Sequence, residues 1–137
     1  LAILWKATVT SGDWHTPANW DGGVVPTDAS DVEFPEHSHQ NPIVVTISAD
    51  TDATPNVTEV TNIDVIGGHY IFRPARPAKL QISGQLDILG KAAVGGASAM
   101  SSSLKVENGI VEVQGDANVV GVNNGLGGPA RCPHHSN

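Results

Sequence analysis

Apolar and polar residues alternate along most of this chain, in short runs broken by glycine, proline and asparagine. Period-two alternation marks strands with one buried face. It predicts strands at residues 3–9, with Ile3, Trp5, Ala7 and Val9 on one face. Further strands are predicted at 31–34, 43–47, 57–60, 63–66, 70–73, 79–83, 85–89, 104–107, 110–114 and 118–122. Such runs average about five residues, an ordinary strand length. The one helix-tolerant segment, GGASAMSSS, reads as a loop because glycine and serine favour turns.

The fold class is therefore all-β. A weak repeat narrows it: IDVIG (63–67), LDILG (86–90) and VEVQG (111–115) share an apolar–acid–apolar–any–Gly pattern, spaced by 23 and 25 residues. The stretches LQISGQLDILGKAAVGG and LKVENGIVEVQGDANVVG are also alike. That spacing fits successive strand pairs of a jelly-roll-type β-sandwich, the architecture expected first. It also fits a short β-solenoid of stacked coils, the alternative. The acids Asp64, Asp87 and Glu112 alternate with apolar residues and so face solvent. Residues 1–124 are read as one β domain. Residues 125–137 have no apolar period and are read as a flexible or partner-ordered tail.

One stretch breaks the pattern. SGDWHTPANWDGGVVPTDASDVEF (11–34) holds Trp14 and Trp20, six residues apart with Pro17 between them. Proline makes a continuous strand improbable, so the segment is expected to be a structured loop. Asp13 and Asn19 can accept hydrogen bonds from backbone amides, Gly22 and Gly23 allow positive φ, and Pro26 sets the exit. The first reading is a hydrophobic plug at one end of the domain, since each indole buries about 150–250 Å². The second is a stacking platform for a sugar or a protein partner.

The residues Trp5, Gly12, Asp13, Trp14, Asn19, Trp20, Gly22, Gly23, Val25, Pro26, Asp31, Val32 and Phe34 form the motif W…GDW…NW.GG.VP…D.V.F. It resembles the opening of β-rich modules in bacterial surface adhesins and autotransporter passengers, and also small proteins encoded beside phage capsid genes. The chain's size, composition and β pattern further resemble the cement (decoration) proteins of tailed phages, including the jelly-roll kind on Bordetella phage heads. The cement resemblance implies a structural, non-enzymatic protein on the outer capsid surface that bridges major capsid protein subunits. It implies assembly in the bacterial host cytoplasm, location in the virion and self-association as a dimer or higher. The alternative is a carbohydrate- or surface-binding β module of an adhesin.

Charge and composition trim the remaining classes. A net charge of −7 should repel nucleic acid, and no basic amphipathic stretch suits a membrane surface. A single cysteine, Cys132, rules out an intramolecular disulfide and favours a reducing compartment. The opening LAIL is too short for a signal-peptide core, although a chain starting with Leu leaves export followed by cleavage open. No catalytic motif stands out, and no cofactor is expected. EHSHQ places His37 and His39 beside Glu33 and Glu36, and His134 and His135 follow Cys132. Such spacings occur in zinc sites, yet no third ligand is placed by sequence, so no metal is assigned. RPARPAK (73–79) gathers Arg73, Arg76 and Lys79, either a solvated loop or an acid-docking patch. The candidate partner contacts are Ile3, Trp5, Trp14, Trp20, Arg73, Arg76 and Lys79. Residues 1–5 and the tail beyond Gly125 are candidate arms for β-augmentation.

Overall fold

The structure is a computed structural model, and it describes residues 2–48, 57–90 and 101–119. Among the described residues twelve strands follow one another: β1 (Ala2–Leu4), β2 (Ser11–Asp13), β3 (Asp31–Phe34), β4 (Ile43–Ile47), β5 (Val57–Val60), β6 (Asn62–Val65), β7 (Gly68–Pro74), β8 (Lys79–Ile82), β9 (Leu86–Ile88), β10 (Ser102–Val106), β11 (Ile110–Val113) and β12 (Ala117–Val119). Two single-turn 3-10 helices, Pro17–Asn19 and Asp21–Gly23, interrupt the loop before β3. No helix of the described residues is long and apolar enough to cross a membrane.

The strands form three sheets, in the orders β1-β3-β6-β9-β12, β2-β4-β7-β10 and β5-β8-β11. Each pairing between these strands is parallel. The chain thus lays one strand on each sheet in turn. β3, β4 and β5 make one coil, β6, β7 and β8 the next, and β9, β10 and β11 the third. This is the β-solenoid kept as the alternative; the jelly-roll sandwich expected first, with its antiparallel sheets, is not the arrangement observed. Alternation alone could not separate the two, because strands of both bury one face.

The alternation sets the packing. β4 runs buried–half-buried–buried throughout, and β6, β8 and β9 do the same. Register stacks like on like. Val32, Ile63 and Leu86 form one apolar column, and Phe34, Val65 and Ile88 the next. Ile43 lies beside Tyr70, Val45 beside Phe72, and Val60 beside Ile82. All these side chains join a single core enclosed by the three sheets. Each is worth about 1.5–3 kcal/mol of burial, so a coil is stable only when stacked on another.

The repeat was partly read in the right register. Ile63 of IDVIG does lie against Leu86 of LDILG. VEVQG, however, lies on the third sheet, where Val111 pairs with Leu80 rather than with its look-alike. The likeness of LQIS to LKVE is displaced for the same reason: Leu104 lies against Tyr70. The first predicted strand stops at Leu4, because the chain turns at Ala7–Thr8 instead of running on to Val9. Of the candidate arm at residues 1–5, residues 2–5 are not free, since β1 pairs with β3 and Trp5 bridges to Trp20, while residue 1 lies outside the described residues. The tail at 125–137, the last residues of the 118–122 strand and most of GGASAMSSS lie outside the described residues.

Candidate functional site

Outside the first sheet, stacking aligns polar side chains as it aligns apolar ones within. Asp31 and Asn62 share one column. Glu33, Asp64, Asp87 and Asn118 share the next. Strand spacing sets their repeat at about 4.8 Å. Carboxamides donate to neighbouring carboxylates: Asn62 Nδ2 to Asp31 Oδ1 (2.8 Å), and Asn118 Nδ2 to Asp87 Oδ1 (2.8 Å). The Gln85 backbone N–H donates to Asn62 Oδ1 at 2.8 Å, tying the third coil to the second. A groove of about 290 Å³ runs over this face, lined by Ala2, Asp31, Val32, Asn62, Asp64, Gln85 and Asp87.

Asp64 sits in the middle, between Glu33 and Asp87. Partial burial raises its proton affinity above the usual carboxylate range, and the neighbouring charges of Asp87, Glu33 and Asp31 add to the effect. Asp64 therefore keeps its proton at pH values where ordinary carboxylates have lost theirs. The face offers closely spaced donors and acceptors to a ligand rich in hydroxyl or amide groups.

The tryptophans lie elsewhere. Trp5, Trp14 and Trp20 are fully buried, as are Phe34, Phe72 and Tyr70, so the chain's three Trp, two Phe and one Tyr all lie in the core. Trp5 meets Trp20 edge-on at 5.1 Å, and Trp14 meets Trp20 at 4.9 Å. The Trp20 indole N–H donates to the Trp14 carbonyl (2.7 Å), and that of Trp5 to Val9 (3.0 Å). Asp13 accepts from the His15 and Ser48 amides, as its turn position suggested, while Asn19 donates to the Asp13 carbonyl instead of accepting. Gly22 and Gly23 have φ of 84° and 70°. The loop is the plug of the first reading. Its indoles present no ring face to a sugar or a partner in the folded chain.

Ile3 is half-buried and packs against the same core. Arg73 and Lys79 form ion pairs across coils, with Glu107 (2.6 Å) and Glu112 (3.2 Å), and Arg76 is exposed. The basic cluster therefore fastens the second coil to the third. His37 and His39 do lie together, with ring centroids 5.1 Å apart, but their nitrogens bind backbone. No group of three or more His, Cys, Asp or Glu among the described residues is placed to hold a metal ion. Cys132, His134 and His135 lie outside those residues.

Sequence reasoning placed Asp64 and Asp87 correctly on the solvent side. It missed that register would align them with Glu33 and Asn118. Aligning DVEF, NIDV, LDI and ANV by their alternation would have revealed the column. No family model, curated protein or solved structure matches this chain.

Proposed function

We propose that the chain is a non-catalytic, surface-binding β-solenoid module of the adhesin kind, acting through the polar face of its first sheet. The observation that carries this reading is the in-register Asp/Glu/Asn face with its groove. Repeating donors and acceptors on a stiff sheet suit an extended, hydroxyl-rich polymer, whose own groups recur along its length. With every aromatic ring buried, recognition works by hydrogen bonding and by many weak contacts rather than by stacking. The adhesin-like motif around Trp14 and Trp20 points the same way and has a structural role as the end plug. The capsid-cement expectation rested on the chain's size, composition and β pattern, and the jelly-roll architecture that went with it is not the arrangement observed.

Glycan arrays and immobilised surface polysaccharides test the proposal. Retention of the folded protein is expected, and its loss in an Asp31→Ala/Asp87→Ala double variant that melts normally. Absence of retention on every polymer, or retention untouched by the double variant, would refute it.

A further inference from the structure

Histidines stitch the corner between the first and second sheets. Residues 35–42 cross there from β3 to β4 and form a strap. His39 Nε2 donates to the Ala7 carbonyl of the preceding coil at 2.7 Å. His37 Nε2 donates to the His69 carbonyl of the following coil at 2.9 Å. His69 Nδ1 in turn meets Ser103 Oγ at 2.6 Å, and the Gly68 amide donates to the Ser101 carbonyl at 2.9 Å. One column of contacts thus ties four successive passes of the chain.

His37 is the vulnerable member. It is buried, and Gly68 leaves room for it: a Cβ on Gly68 would lie 2.6 Å from the imidazole Cδ2, and Gly68 has φ of +85°. Tyr70 packs edge-on against the ring at 5.0 Å, and its hydroxyl donates to the Pro35 carbonyl. The His37 Nδ1 accepts the His39 amide N–H at 3.2 Å. The neutral ring therefore carries its proton on Nε2, and both nitrogens are committed. His39 and His69 keep a donor role when protonated, whereas His37 Nδ1 can receive a proton only by giving up its acceptor role.

The ring's surroundings oppose a positive charge. His39 faces it from the strap itself, and His69 and Tyr70 from β7. Glu36 precedes it in the strap. Burial lowers its proton affinity most, the bond to the His69 carbonyl partly offsets this, and the charges of His39 and His69 lower it further.

We propose that this corner is an acid-released clasp. A proton taken from solvent by His37 Nδ1 breaks the His39 N–H bond, and the strap lifts off the neighbouring coils while the sheets stay paired. The released ring has the ordinary affinity, so the clasp holds fully above about pH 6.5 and weakens as pH falls through that value. The weakening ends once His37 also protonates in the closed strap.

Nitrogen-15 NMR and hydrogen exchange on the intact chain test this. His37 should be the Nε2–H tautomer at neutral pH and titrate below the ordinary imidazole value of 6.5. Between about pH 7.5 and pH 5, protection of the His39 amide, corrected for intrinsic exchange, should fall by up to about tenfold per pH unit, with the indole N–H signals unchanged. His37→Gln keeps a polar side chain but cannot titrate, and should remove that pH dependence. If it does not fold, the wild-type titration and exchange still decide. His37 titrating at or above 6.5, constant His39 protection over the range, or the same loss in His37→Gln would overturn the proposal.

Discussion

The two ends of the solenoid bury the same alternating pattern to very different depths. At the first end, Trp5, Trp14 and Trp20 close over Phe34 and Phe72, and an antiparallel bridge joins Trp5 to Trp20 across the opening. At the other end, Val106, Ile110 and Val119 are 43%, 51% and 36% exposed. Val106 stacks on Phe72, which is fully buried, so the residue type is suited to the core and only the covering is missing among the described residues. In a stacked fold a side chain's burial is decided by what lies on the next level, and a plug of aromatics substitutes for a coil.

Truncation should show this contrast at its largest. Trp20→Ala should cost about 3–5 kcal/mol, as expected for emptying a packed aromatic site. Val119→Ala should stay within about 0.5 kcal/mol. Chemical denaturation measures both, and comparable losses would break the contrast between the ends.

Glycines sharpen it next. At the corner between the third and first sheets, the Gly84 amide donates to the Thr61 carbonyl, and the Gly115 amide to that of Gly84. A Cβ on Gly84 would sit 2.7 Å from the Thr61 carbonyl oxygen and 2.4 Å from Asn62 Oδ1. Gly84→Ala is held between coils and should cost about 1–3 kcal/mol. Gly115→Ala meets the Gly84 carbonyl at 2.2 Å, yet lies on the last coil of the described residues, which no further described coil holds in place. Its cost should be smaller, and the order of the two melting temperatures checks this.

A finer test lies inside the plug. Trp20 Nε1 bonds the Trp14 carbonyl, whereas Trp14 Nε1 is buried without a partner. Trp20→Phe orphans a carbonyl and should cost about 1–3 kcal/mol more than Trp14→Phe, which deletes an unmatched N–H. Equal costs would remove that bond from the plug's account.

The smallest effect concerns Asp64. Its raised proton affinity means that the fold favours the protonated form, so this residue's contribution is present below pH 3.8 and lost as pH rises through its folded value. Asp64→Asn removes the ionisation and keeps the column's hydrogen bonding. A slightly higher melting temperature at neutral pH, and none at acid pH, is the expected result. A gain that persists in acid would point to a cause other than charge.

Much of this was legible in the chain because alternation is a local property. DVEF, IVVTI and VTEV became strands with the bounds read from them. The plug was legible from Asp13, Pro17 and the paired glycines. Sheet direction was not, since Ile63 and Asp64 alternate identically whether the neighbouring strand is parallel or antiparallel. The polar face was hidden for the same reason: Glu33, Asp64 and Asp87 become neighbours only through register, which no single strand encodes. β2 was missed because SGD has no apolar residue to mark it. The role of His37 depended on Gly68 and His69, one coil away.

Parallel stacking also dictates how the molecule meets force. Its backbone bonds between coils all point along the stack, from Ser30 through Thr61 and Gly84 to Gly115 at one corner. Tension along that direction loads the levels in series and peels them apart one after another, starting at the weakest seam. Tension along the strands loads many bonds at once in shear. The same body is soft to peeling and stiff to sliding.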